Sequence, residues 1–190
     1  DRLAQEGMRF TRNCVTPAIC GVSRATMLTG QWMSRHGNRA FDMFRTPWSD
    51  TFPAQLRAHG YWVGHIGKWH NGLYHRDHLP HRRGFDLFYG FPNGGQDYWK
   101  WNLLRNDDAA PHDGRYLSDA LNDEAIAFIR RRAARPFALF LAHHAPHSPL
   151  QAPAALVLAL EEWTRLLASL RPADSLDPTS EAEVHDLVER

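Results

Sequence analysis

The alternation of apolar and polar positions divides the chain into short helices and strands. "DRLAQEG" has a helical texture with Gly7 as its stop, and "MRFTRNCV" reads as a short strand leading into the loop that carries Cys20. From Ser23 the spacing turns helical, through Met27 and Leu28 to Gly30. "SDTFPAQLRAHG" predicts a second helix with a polar start and a glycine stop, and "YWVGHIGKWH" a β-rich run ending in Lys68 and His70. Residues 71–114 gather Gly, Asp, His and aromatic side chains without a clear period, and are expected to form a long, ordered surface excursion. "YLSDALNDEAIAFIRRRA" sets Leu117, Leu121, Ala125 and Phe128 on one helical face, with basic residues at the end where they suit the helix dipole. "PFALFLAHH" is a continuous apolar run of strand length, expected to be buried on both faces in a parallel sheet. Its polar residues stand at the C-terminal end, where α/β folds place their ligand sites. Beyond Pro153, Leu156, Leu160, Trp163, Leu167 and Leu170 predict an amphipathic helix, followed by an acidic, polar stretch over 171–190.

Composition narrows the class. The 190 residues are 43% hydrophobic, enough for one domain with a sizeable core. Twenty-two Lys and Arg against 21 Asp and Glu give a net charge of +1, so neither nucleic acid nor an anionic membrane is the expected partner. Cys14 and Cys20 lie six apart, which is neither a disulfide framework nor the CxxC spacing of a redox or zinc site. No run is apolar for long enough to span a bilayer, and the opening residues lack the pattern of a signal peptide. With no initiator Met, the chain is expected to be an internal piece of a longer product.

Four stretches carry candidate chemistry: Cys20 to Gly30, "GKWH" at 67–70, "GFDLFYGF" at 84–91 and "HHAPHSP" at 143–149. A cysteine just before a helix start sits where backbone N–H groups and the dipole favour an anion, and Arg24 adds positive charge one turn on. A lone cysteine is also a common small core residue. Lys68 and His70, two apart in an extended run, leave the same face, and an ammonium beside an imidazole suits an anion and a proton transfer. Prolines on both sides of His147 stiffen its loop. Two other readings use the same residue types. One is a metal site drawn from His65, His70, His75, His78 and His81, although no HExxH or Cys2His2 spacing is present. The other is a thiol hydrolase with Cys20 as nucleophile and His70 or His147 as base, which leaves Arg24 and Lys68 idle.

In this order the motifs resemble the formylglycine-dependent sulfatases of the arylsulfatase-like type. That family's signature is Cys or Ser, any residue, Pro or Ala, any residue, Arg, four residues, then Thr-Gly. Here it is Cys20, Gly21, Val22, Ser23, Arg24, "ATML", Thr29, Gly30, with Val22 as the departure. "GYWVGHIGKWH" resembles the second signature, "RRGFDLFYGF" the family's glycine-aromatic segment, and "HAPHSPLQAP" its later Pro-His-x-Pro loop. The resemblance covers residues 1–153 as part of an N-terminal catalytic domain, leaving 154–190 as a divergent helix and polar tail.

The resemblance implies an alkaline-phosphatase-like α/β sandwich, with a mainly parallel central sheet flanked by helices, and hydrolysis of a small-molecule or carbohydrate sulfate ester. It implies that a formylglycine-generating or equivalent maturation enzyme oxidises Cys20 to formylglycine, whose hydrated aldehyde presents two hydroxyls. One attacks sulfur as the ester alcohol leaves; loss of the other's proton expels sulfate and restores the aldehyde. By the same likeness Arg24 holds the hydrate and Lys68 balances sulfate charge. His70 assists the proton loss, and His147 contacts sulfate and protonates the leaving oxygen. The family's calcium ion would touch this chain through Cys20 as formylglycine, its other ligands lying outside the chain. Export to the periplasm, lysosome or outside is likewise implied only by resemblance. The alternatives are a phosphatase, phosphodiesterase or phosphonate hydrolase of the same superfamily, and a catalytically inactive fragment or binding module.

Overall fold

The computed structural model describes residues 2–15, 17–40, 44–72 and 75–169. Helix α1, Arg2–Glu6, closes as expected with the Gly7 N–H on the Leu3 carbonyl. The strand expected over residues 8–15 does not form: Met8, Phe10 and Val15 are exposed, and no described strand pairs with this segment. A strand needs a neighbour for its ladder bonds, and apolar alternation without one leaves irregular backbone. Helix α2, Cys20–Thr29, starts three residues before the expected Ser23, so Cys20 lies inside its first turn. Val22, Ala25 and Leu28 are buried, and Gly30 ends the helix in the left-handed conformation at φ 65°. Two shorter helices follow, α3 at Met33–His36 and α4 at Phe52–Ala58, the latter with Pro53 in its first turn.

The sheet comprises β1 (Trp62–Lys68), β2 (Leu87–Phe91), β3 (Leu103–Arg105), β4 (Asp108–Ala110) and β5 (Phe137–Ala142), in the order β4-β3-β2-β1-β5. β1 runs parallel to both β2 and β5, while β3 and β4 add an antiparallel hairpin beyond β2. The 71–114 stretch is therefore not a surface excursion. It holds three of the five strands, and every residue of β2 is buried. Its period was hidden because β2 is only five residues and continuously apolar, as a strand covered on both faces must be.

Helix α5, Leu117–Arg132, lays Leu117, Leu121, Ala125 and Phe128 on one face of the sheet, as its spacing requires, against Ile66, Leu87, Tyr89 and Phe91. Gly64 makes room there, since a Cβ at that position would overlap the Phe128 ring. The opposite face carries Val63, Phe85, Phe88 and Trp69 under Ala25 and Leu28 of α2 and Leu56 of α4. Complete burial of a ring such as Phe85 or Phe128 stabilises the fold by about 1.5–3 kcal/mol. β5 departs from expectation: it is the outer strand of the described sheet and is only half-buried, with Leu141 exposed. Helix α6, Ala154–Ser169, forms where predicted, with Leu156, Leu160 and Trp163 exposed. The Leu167 side chain, Leu170 and the polar stretch 171–190 lie outside the described residues. Among the described residues no helix is long and apolar enough to cross a membrane.

Candidate active site

Because β2, β1 and β5 are parallel, their C-terminal ends share one edge, and each runs into a loop bearing a polar group. β1 leads to Trp69 and His70, β2 to residues 92–96, and β5 to residues 143–151. The start of α2 meets them: Cys20 Sγ lies 3.0 Å from His70 Nδ1. His70 has φ 51°, a left-handed backbone that a non-glycine residue adopts at a cost of order 1–3 kcal/mol. The Trp69 and His70 N–H groups hold this turn by donating to the Phe91 and Pro92 carbonyls at 3.0 and 3.1 Å.

The Lys68 carbonyl is a junction. It accepts from Arg24 Nη1 at 2.6 Å and from His65 Nε2 at 3.0 Å. Since a carbonyl only accepts, the His65 proton sits on Nε2, and its bare Nδ1 faces a cage whose Trp69, Phe85 and Phe140 rings lie 5.1 to 5.3 Å away. Burial, and secondarily the charge of Arg24, push the His65 pKa down from 6.5 to about 3, so the ring is neutral. The Lys68 side chain is 3% exposed. Its pKa is lowered chiefly by burial and further by Arg24, while Cys20 acts the other way. Burial also lowers that of Arg24, opposed by Cys20, from a value so high that the guanidinium keeps its charge. Two poorly hydrated cations and an imidazole thus converge on the first turn of α2. Such a set stabilises a tetrahedral anion, because fixed charges in a water-poor site need no reorganisation.

His147 arrives from the β5 side. It is exposed, and its Nδ1–H donates to the Ser148 carbonyl at 2.8 Å, which leaves Nε2 as the nitrogen open to a substrate. Its loop is tied down: Tyr98 Oη donates to the His147 carbonyl at 3.0 Å, and Gln151 accepts the Tyr98 N–H at 2.8 Å while donating to Asp97 at 3.0 Å. Gly94 and Gly95 lie between the two imidazole arms. A Cβ at Gly94 would sit 2.8 Å from His70 Cε1, and one at Gly95 3.6 Å from His147 Cε1. Cys20, Arg24, Lys68, His70 and His147, all named from sequence, therefore border one region.

Sequence reasoning missed His144, Gln96 and the Gly94–Gly95 turn that completes this edge. The Gly-Gly pair just after an apolar run was the available signal. The histidines of the metal alternative scatter: His65 is in the core, His70 on Cys20, His75 and His78 pair near the surface, and His81 bonds Asp107. The "GFD" segment is structural: Phe85 is buried, and Asp86 accepts the Val63 N–H and pairs with Arg57.

A family model described as Sulfatase matches residues 1–164. The chain belongs to the sulfatase family. Among its sulfatase relatives, "Uncharacterized sulfatase YdeN" of Escherichia coli (strain K12) is 34% identical over 180 residues, covering 80% of this chain and 32% of that protein. Arylsulfatase J of Mus musculus is 33% identical over 173 residues, 80% of this chain and 29% of that one. The crystal structure of Ps i-CgsB matches with a TM-score of 0.69 at 28% identity, over 84% of this chain and 40% of that chain. That of BT4656 in complex with its substrate D-glucosamine-2-N,6-O-disulfate gives 0.70 at 28% identity, over 92% and 33%. This sulfatase chain thus spans about a third of the curated relatives it matches, and its mixed sheet flanked by helices is the alkaline-phosphatase-like fold. The calcium of the family fits poorly to the residues in hand. Among the described residues no three His, Cys, Asp or Glu side chains are grouped to hold a metal. The groups about Cys20 are cations and an imidazole, whereas a hard cation demands oxygen ligands.

Proposed function

We propose that this chain carries the nucleophile and sulfate-binding side of a sulfuric ester hydrolase. The observation that supports it most is the meeting of Cys20, in the first turn of α2, with His70, while Arg24 and Lys68 are locked together through the Lys68 carbonyl. In this reading Cys20 is the precursor of a formylglycine, which when formed supplies a hydrated aldehyde as nucleophile. Arg24 and Lys68 neutralise charge on the nucleophile and the sulfate oxygens, His70 accepts a proton at Nδ1, and His147 gives one from Nε2 to the departing oxygen. A calcium ion belongs to the same reading; Cys20 as formylglycine would be its one contact with this chain, its other oxygen ligands not being among the described residues. Val22 is 1% exposed, so a maturation enzyme that reads it meets the segment before α2 docks. Substrates are sulfate esters of small molecules or carbohydrates, in keeping with the sugar disulfate bound by the similar BT4656 structure. Export from the cytoplasm follows from the same family reading.

The test pairs an activity with a modification. The protein is incubated with an aryl sulfate and an aryl phosphate, and the Cys20 peptide is weighed by mass spectrometry. Sulfate release together with the lighter formylglycine mass is expected. Phosphate turnover without sulfate turnover, or an unmodified thiol in a host that converts other sulfatases, overturns the proposal.

A further inference from the structure

The described residues place one buried histidine directly behind His147 with no part in the chemistry above. His144 is 3% exposed, and its ring stacks on His147 with centroids 4.9 Å apart and planes at 29°. Tyr98 also stacks on His144, at 4.9 Å and 30°, and is itself stacked on Tyr116 at 5.3 Å and 14°. Phe91, the last residue of β2, meets His144 edge-on at 5.4 Å. Four rings, Tyr116, Tyr98, His144 and His147, are thus linked by successive stacked contacts, His147 being exposed.

These rings are held by directional bonds. The Gln96 N–H donates to His144 Nε2 at 3.3 Å, so that nitrogen is the bare one and the ring's proton belongs on Nδ1. Tyr98 is fixed through its N–H on Gln151 and its hydroxyl on the His147 carbonyl. The same tyrosine therefore sets both the backbone of His147 and, through His144, the plane of its ring.

We propose that His144 is a positioning residue for His147: its flat, immobile ring is the wall that fixes the direction of His147 Nε2 toward a departing oxygen. This rests on the reading of His147 as proton donor. A solvent-exposed imidazole samples several rotamers, and proton transfer in the transition state requires one of them. His144 performs this without competing for the proton. Burial, then the charges of His147 and Lys68, lower its pKa from 6.5 to about 4. A neutral ring places no second positive charge 4.9 Å from the His147 imidazole.

Two variants separate positioning from plain packing. His144→Leu fills the site but removes the plane; His144→Phe restores the plane without a nitrogen. On a sulfate ester, His144→Leu is expected to lower kcat about tenfold with KM within about twofold, and His144→Phe to recover most of the kcat. A readout independent of turnover is the His147 Cε1–H resonance, assigned with His147→Gln. The ring stack shifts it upfield in the wild type and in His144→Phe, and His144→Leu releases it. Wild-type kcat in His144→Leu, equal losses in both variants, or a change in KM alone would overturn the inference. If the wild type turns over no sulfate ester, the hydrolase reading has failed. The positioning claim is then judged on the resonance alone, and an unshifted signal in His144→Leu sinks it.

Discussion

His65 makes the core acid-sensitive, and the size of the effect follows from its burial. The side chain has 0% exposure, is enclosed by Trp69, Phe85, Phe88 and Phe140, and keeps a bare Nδ1 with no partner. Charging it there strands a cation in an apolar cage, so its pKa falls to about 3, against 6.5 in the unfolded chain. Between those values the unfolded chain binds one proton more than the folded one, and stability drops as pH drops. The contribution is fully present above pH 6.5 and is lost on the way down to pH 3. Each pH unit below the unfolded value costs about 1.4 kcal/mol, so two units below it this residue alone removes roughly 3 kcal/mol. That is a large part of the ~5–15 kcal/mol by which domains are stable. The perturbation is His65→Gln, whose amide still donates to the Lys68 carbonyl but does not titrate. Urea unfolding of wild type and variant, from neutral to mildly acidic pH, isolates the term as a difference of slopes whatever the variant costs at neutral pH. The variant is expected to lose stability with falling pH by about 1.4 kcal/mol per unit less than wild type. Parallel slopes would refute the reasoning.

Two further outcomes test other parts of the structure. Lys68→Met should lower kcat/KM for a sulfate ester about 10²–10³-fold, the usual cost of losing one preorganised charge, while the melting temperature holds or rises because a buried ammonium is removed; a lower melting temperature with kcat/KM intact would contradict its assigned role. Gly67→Ala should abolish soluble folded protein or cost more than about 3 kcal/mol by circular dichroism melting, since a Cβ there overlaps the Ala142 carbonyl of β5 and the backbone stands at φ +107°.

The elements legible in sequence were those with a long or clean period. The α5 stripe of Leu117, Leu121, Ala125 and Phe128 is buried as its spacing demands, and the apolar runs at 62–68 and 137–142 are parallel neighbours. What stayed hidden depends on partners that a local pattern does not contain. "MRFTRNCV" alternates like a strand, yet no described strand pairs with it. The 87–91 run carries too few residues to display a period, and the β3–β4 hairpin turns on Asn106 at φ 54° and Asp107 rather than on a glycine. The residues named from motifs, Cys20, Arg24, Lys68, His70 and His147, border one region in the fold. His144 was not named, because its significance lies in rings contributed by Phe91, Tyr98 and His147, from three different segments.

The same contrast explains why the candidate site and the core are not separable in this fold. The Lys68 carbonyl accepts from Arg24, whose charge borders Cys20, and from His65, whose ring fills the core. Arg24 in turn lowers the affinity of both His65 and Lys68 for a proton. A change at the buried histidine therefore reaches the cations through one oxygen atom and one shared field, with no movement of the sheet required. The strained φ at His70 belongs to the same short turn, held by carbonyls at the end of β2. Position and charge at the first turn of α2 are thus set by the ends of β1 and β2, where β1 pairing with β5 needs Gly67 bare and β2 pairing with β1 needs Gly90 bare, since a Cβ at either would strike the neighbouring backbone. Glycines in the strand are, on this account, as necessary to the site as the cations it displays.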